Sequence, residues 1–243
     1  MKLGFHIAHW RRLDLFDLVL RNLRTIEGSI GAEFVIAVAG PDLKEDRRRV
    51  EQWRARYVAT PNSPLGAKCN RAVQLLQDCD VLCGIGSDDL LCARSVAALL
   101  SSLSSGCDMA GLLDLYMYDL AKRDLIYWPG YQGVRAGETV GPGRMVSRRL
   151  MEAMGWQPFA EELDQNLDRS MFEKLQPLDF ERVALRCKGI DGMLVDVKTR
   201  VNINPMPHIR KHAKGCRAVG YPDKLFTKHF GADMVDNLHE VTP

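Results

Sequence analysis

The first hundred residues alternate between two hydrophobic periods. Residues 2–8 are a short apolar run of strand length, after which Leu13, Phe16, Leu20 and Leu23 recur at helical spacing. Residues 33–39 read as a second strand, stopped by the turn pair Gly40-Pro41. A charged surface helix is predicted over 43–56, a brief strand over 57–59, and a helix over 65–77 opened by Asn62-Ser63-Pro64. Residues 80–85 are a buried-type strand and 91–103 are helical. Strand and helix alternating at this spacing predict a parallel sheet in an open α/β fold.

After Cys107 the pattern changes. Residues 109–118 and 124–128 alternate like a hairpin or a sheet extension, and 129–143 hold five glycines and two prolines, a loop near the working face. Helices are expected over 147–154 and 163–175, strands over 183–186 and 193–197, then a basic tail. No repeat, low-complexity tract or linker interrupts the chain, so a single domain with a changed second half is the simplest organisation.

Composition narrows the class. The 243 residues are 46% hydrophobic and 26% charged, which excludes wholesale disorder and leaves enough core to fold without disulfides or structural metals. Lys and Arg number 33 against 31 Asp and Glu, a formal charge of +2, so any basic surface must be local. Seven cysteines with no C-x-x-C pair disfavour a disulfide framework, a zinc ribbon and a thioredoxin-type centre, and point to a reducing compartment. Arg11, Arg12 and Asp14 come too early for a secretory signal, and no apolar run approaches the roughly 20 residues of a membrane span. The expectation is a soluble cytoplasmic protein.

Candidate chemistry sits at four places. Gly84-Ile85-Gly86-Ser87-Asp88-Asp89 begins like a dinucleotide fingerprint, but Asp89 replaces the third glycine. It leaves two adjacent carboxylates past a buried strand, suited either to a hard divalent cation or to capping the next helix. Gly66-Ala67-Lys68-Cys69-Asn70 opens a helix whose start and lysine favour an anion, or is a plain helix start. Asp164 and Asp168 lie i and i+4 on the 163–175 helix, either a solvated face or a general base lining a cleft. Residues 198–217 carry six basic side chains and no acidic one, with His208 and His212 four apart, free to join a carboxylate metal site or to contact phosphates.

In chain order the segments resemble glycosyltransferases of the GT-A fold, of the inverting family-2 type, over residues 1–212. Leu3 to Ala8 with His9-Trp10-Arg11 is similar to the family's nucleotide-binding entry strand, and Gly66-x-Lys68-x-Asn70 to its G-x-[RK]-x-N helix. Ser87-Asp88-Asp89 stands where the D-x-D motif stands, Gly143 to Arg148 resembles the acceptor-side loop, and Asp168 with Lys174-Leu175 matches the pattern of the catalytic base.

The resemblance implies an open mixed α/β sheet flanked by helices in one domain, 1–243. It divides into a nucleotide-sugar half (1–106), an acceptor half (107–217) and a C-terminal tail (218–243). It also implies Asp168 as base and donor contacts from Ala8, His9, Trp10, Arg11, Gly40, Gly66, Lys68, Asn70 and Asp88. Acceptor contacts would come from Gly143, Arg144, Trp156 and Asp164, and Mn²⁺ or Mg²⁺ would bind Asp88, Asp89 and His208. The implied activity is metal-dependent transfer of a sugar, with inversion, from a nucleoside-diphosphate sugar (UDP by default) to an acceptor hydroxyl. A modified base in DNA is a candidate acceptor, as in small phage-type members.

Three departures stand out: Gly86 replaces the first D-x-D aspartate, Leu167 the glutamate before the base, and Gly40 the nucleobase-reading aspartate. The rivals are a sugar-phosphate nucleotidyltransferase, disfavoured by the lack of a glycine-rich loop after the first strand, and a non-catalytic sugar- or nucleic-acid-binding module.

Overall fold

The computed structural model describes residues 1–200, 202 and 206–242, without the side chain of His212. Its first half runs β1 (Lys2–Ala8), α1 (Leu13–Ile30), β2 (Glu33–Gly40), α2 (Lys44–Gln52), β3 (Arg56–Ala59), α3 (Leu65–Gln74), β4 (Val81–Gly84), β5 (Asp89–Leu91) and α4 (Ala93–Ser104). The second half continues with β6 (Met109–Leu112), β7 (Leu115–Asp119), β8 (Asp124–Trp128), β9 (Met145–Ser147), α5 (Arg148–Ala153) and α6 (Leu167–Leu175). It ends with β10 (Arg182–Leu185), β11 (Leu194–Lys198), α7 (Met206–His212), β12 (Arg217–Val219), α8 (Pro222–Phe230) and α9 (Ala232–Glu240).

Two sheets result. The larger has the order β10-β6-β9-β4-β1-β2-β3, and β9 runs antiparallel to its neighbours β4 and β6 while the other pairings are parallel. The smaller has the order β12-β8-β7-β11-β5. The predicted open α/β sheet is therefore present and mixed.

Strand alternation explains the layering. Leu3, Phe5 and Ile7 of β1, with Ile36 and Val38 of β2, point into a core shared with α1 and α4. The opposite face carries Gly4, Ala37 and Ala39, small enough for α3 to approach. A methyl on Gly4 would lie 3.0 Å from Cys79 Sγ. Six of the seven cysteines are buried and all are free thiols.

Several boundaries differ from the sequence reading. Residues 91–103 split into the end of β5 and α4, because Leu91 pairs with Leu194 across the second sheet. The 163–175 helix begins only at Leu167, after Asn166 at φ 60°, so Asp164 lies outside it and does not share a helix face with Asp168. The reason is competition for backbone groups: the Glu161 and Leu163 carbonyls accept from the Ala67 and Gly66 amides at the start of α3. The expected C-terminal tail carries the end of β12 and two helices, α8 and α9. Phe226 is buried edge-on against Tyr118 at 5.0 Å, and Leu238 joins the same core.

Among the described residues no helix is long and apolar enough to cross a membrane. Since α8 fills the core, Phe226→Ala is expected to cost about 3–5 kcal/mol in urea unfolding, whereas a peripheral tail would lose under ~0.5 kcal/mol.

Candidate active site

A cleft of about 890 Å³ opens where the carboxyl ends of β1 and β4 meet the second sheet. Asp88, Asp89 and Asp196 line one part of it, each offering a carboxylate oxygen within 4.8 Å of the others. Asp89 and Asp196 are directly paired across the antiparallel β5–β11 ladder, which puts both side chains on one sheet face. Asp89 is 3% exposed, and burial with the neighbouring Asp196 and Asp88 pushes its carboxyl well up. Burial and Asp88 raise Asp196 too, against the pull of Lys198.

Partners offset part of this charge. Arg12 donates to Asp88 Oδ2 (2.8 Å) and Ser87 Oγ (3.1 Å), Asn202 Nδ2 donates to Asp88 Oδ2 (2.6 Å), and the Gly86 amide donates to Asp89 Oδ2 (2.6 Å). Lys198 Nζ lies 2.5 Å from Asp196 Oδ2. Arg12 reaches the site from a turn in which Arg11 and Arg12 both hold left-handed φ values, 56° and 55°. Such conformations cost of order 1–3 kcal/mol each and collect at functional sites.

Asp196 Oδ1 is buried and has no hydrogen-bond partner among the described residues. Three convergent carboxylates with an orphaned oxygen are the donor set a hard, oxygen-preferring cation such as Mn²⁺ or Mg²⁺ takes. Gly86 fits the same logic: a Cβ there would stand 2.6 Å from Asp89 Oδ2 and 2.7 Å from Asp88 Oδ1. Asp196, not residue 86, supplies the additional carboxylate.

Asp168 lines another part of the cleft at the start of α6. The Tyr131 hydroxyl and Arg135 Nη2 (3.0 Å) both donate to its Oδ2, while Oδ1 has no hydrogen bond among the described residues. Burial pushes this carboxyl up, but the Tyr131 hydrogen bond and the charges of Arg144 and Arg135 outweigh it and hold the group below the ordinary carboxylate range. The guanidinium of Arg135 stacks on Tyr131 at 3.5 Å, and Tyr131 packs edge-on against Trp128 at 5.0 Å. Buried Arg144 donates to the Asp168 carbonyl (3.3 Å) and to Thr139 Oγ1 (2.9 Å) and O (2.6 Å).

No protein-family model matches the chain, and no curated protein sequence matches it. Solved structures do share its fold. Staphylococcus aureus TarS (residues 1–349) superposes with a TM-score of 0.62 at 15% identity, over 81% of this chain and 60% of that one. The chain thus spans less than two thirds of the TarS fragment. The mannosyltransferase PcManGT from Pyrobaculum calidifontis, in complex with GDP-Man and Mn²⁺, gives 0.57 at 10% identity, over 98% and 69%. A 4-diphosphocytidyl-2C-methyl-D-erythritol synthase from Anaerococcus prevotii gives 0.53 at 10%, over 76% and 86%.

The chain has the GT-A fold.

Of the residues expected at a GT-A site, Ala8, Trp10, Lys68, Asp88, Asp89, Arg144, Asp164, Asp168 and His208 line the cleft. His208 lines the cleft as well, and the third carboxylate grouped with Asp88 and Asp89 is Asp196. Lys68 is 1% exposed; burial pushes its ammonium down to about 8, and it donates to the His9 carbonyl (2.5 Å) and to Asn62 Oδ1 (3.0 Å). Arg11 lies beside Trp10, its guanidinium 5.3 Å from the indole.

The other expected contacts, His9, Arg11, Gly40, Gly66, Asn70, Gly143 and Trp156, do not line the cleft. The His9 ring is buried on Phe16, 3.3 Å from Asp46, and burial with the Lys68 and Arg12 charges pushes it down to about 3. Gly40 abuts Tyr57, Gly143 makes a tight turn at φ 75°, and the Trp156 carbonyl accepts from Gln74. Asn70 uses both ends of its amide on the Phe159 backbone.

The start of α3 is consumed as well. Its Leu65 amide donates to Asp164 Oδ1 (2.9 Å), Gly66 to the Leu163 carbonyl (2.8 Å) and Ala67 to that of Glu161 (3.2 Å). These first-turn donors hold the 159–164 segment and offer nothing to an anion. Arg12, Tyr131, Arg135 and Asp196 escaped the sequence reading, which had Lys198 only as the start of a basic tail, although Asp196 and Lys198 stand out as charges alternating with Val195 and Val197 in an otherwise apolar strand.

Gly66 is packed so closely that a Cβ would stand 1.9 Å from the Ala160 carbonyl oxygen. Gly66→Ala is therefore expected to lower stability in thermal or urea unfolding by about 1–3 kcal/mol, the range for overpacking. A stable variant impaired only in ligand binding would contradict this role.

Proposed function

We propose that the protein transfers a sugar from a nucleoside-diphosphate sugar to an acceptor hydroxyl with inversion, Asp168 serving as general base. The observation that carries this reading is a single cleft with two kinds of carboxylate. One is a convergent trio suited to a divalent cation; the other is Asp168, kept ionised with one oxygen open.

The acceptor oxygen attacks the anomeric carbon as its proton passes to Asp168 Oδ1. The bond from that carbon to the diphosphate oxygen breaks, and its electron pair leaves with the nucleoside diphosphate. Asp88, Asp89 and Asp196 would hold Mn²⁺ or Mg²⁺, which supplies charge neutralisation for the leaving diphosphate. Trp10 offers a flat face for the donor and Trp128 one for the acceptor. A nucleotidyltransferase is the weaker reading, because the β1–α1 turn is Ala8-His9-Trp10-Arg11-Arg12 and has no glycine for close approach to a triphosphate.

Asp168→Asn should keep nucleotide binding by calorimetry yet lose transfer by about 10²–10⁴-fold; near-normal turnover sinks the assignment. The base must be deprotonated, so activity falls as pH drops through its lowered pKa. Tyr131→Phe removes one cause of that lowering and should move the acidic limb of the pH–rate profile upward.

One observation favours a base in nucleic acid as acceptor-bearing substrate. Beside α7 a second groove of about 330 Å³ is lined by Arg123, Arg210 and Arg217. Arg210 pairs with Asp124 at 2.9 Å, while Arg123 and Arg217 have no ion pair among the described residues. Tyr221, next to the groove-lining Pro222, is 84% exposed. Basic groove and exposed aromatic together suit a phosphodiester strand with stackable bases. Binding of a single-stranded oligonucleotide should weaken steeply along a salt series, and Arg123→Ala or Arg217→Ala should each reduce the slope by about 1. Absent or salt-independent binding rejects this acceptor.

A further inference from the structure

Lys198 stands two residues past Asp196 on β11, so both side chains leave the same face of the strand. Its side chain is 7% exposed, its ammonium sits 2.5 Å from Asp196 Oδ2, and it borders the cleft. The three carboxylates are engaged in the same lopsided way: Oδ2 of each takes a donor or cation, and no hydrogen bond reaches Oδ1 among the described residues. The only positive charges within ion-pair distance of the trio, among the described residues, are Arg12 on Asp88 and Lys198 on Asp196.

The two cations differ in how firmly they are fixed. Arg12 is anchored twice, on Asp88 and on Ser87, from a turn with a fixed backbone. Lys198 is a point charge on a rotatable stem with a single carboxylate partner. A divalent cation entering the trio needs the Asp196 carboxylate and repels the ammonium already on it. A diphosphate bound beside the trio would offer the ammonium a new anion once the metal has taken up the carboxylates.

We propose that Lys198 is a displaceable counter-ion. It holds Asp196 while the trio has no metal, releases it when a divalent cation binds, and then grips the donor's diphosphate. Metal and nucleotide then bind cooperatively, because each removes a cost from the other. This rests on the nucleoside-diphosphate-sugar reading above.

The test is calorimetric titration of the full chain with Mn²⁺ alone, with UDP, GDP or CDP alone, and with metal and nucleotide together. In the wild type each ligand should tighten the other on the order of ten-fold, a usual size for coupling between sites. Lys198→Met should bind Mn²⁺ alone more tightly than wild type and show a smaller tightening effect of the nucleotide, leaving only the direct attraction between metal and diphosphate. Asp196→Asn should lose Mn²⁺ affinity yet bind the nucleotide alone more tightly, because the lysine is already free.

Lys198→Met with unchanged Mn²⁺ affinity and intact coupling overturns the proposal. So does Asp196→Asn with no gain in metal-free nucleotide affinity, and that arm keeps the lysine and stands even where Lys198→Met does not fold. A wild type that takes up neither Mn²⁺ nor any of the three nucleotides overturns the donor reading itself, a result distinct from ligands that bind without coupling.

Discussion

Antiparallel pairing of β5 with β11 sets Asp89 directly opposite Asp196 on one sheet face. Like charges in that position destabilise a sheet, and here Asp89 is buried and Asp196 half-buried, with Asp88 close by. Much of the surrounding structure answers that one repulsion. The left-handed Arg11-Arg12 turn brings a guanidinium to Asp88, Lys198 covers Asp196, and Gly86 leaves room for two carboxylates where any side chain would collide. Apolar residues at those positions would pack at less cost than three acids held with backbone strain and a buried ammonium.

The other side of the cleft depends on backbone bonding. The start of α3 donates its first amides to 161–164, and Asn70 fastens Phe159. With that segment pinned, α6 begins late and presents Asp168 to Tyr131 and Arg135. The G-x-K-x-N stretch thus fixes the 159–164 segment and, through it, the position of Asp168. A glycine and an amide that look like ligand contacts in one dimension are packing contacts in three.

The alternating layers were legible because burial follows local period: β1, β2, α1 and α3 stand close to where apolar spacing puts them. Asp88 and Asp89 drew notice as adjacent carboxylates after a strand, and Asp168 through the resemblance; the structure sets all three in one cleft. What stayed hidden depends on long-range pairing. Nothing near Asp196 announces that its strand will lie beside β5, and nothing near Tyr131 or Arg135 tells which carboxylate they will meet. The short strands β5, β9 and β12 have three residues each, too few to show a period. Asp164 misled because helical spacing is visible in a sequence while the competing acceptors on α3 are not.

The β5–β11 ladder has a temporal side as well. Leu194 pairs with Leu91, so the ribosome makes about a hundred residues between the two partners. Until β11 emerges, β5 is an unpaired edge and the acidic pair beside it lacks both its third member and its lysine. Contacts this far apart in sequence are slow to close. A nascent chain therefore carries its first strand, a helix layer and two aspartates long before it owns a complete carboxylate trio, whose assembly comes late in the life of each molecule.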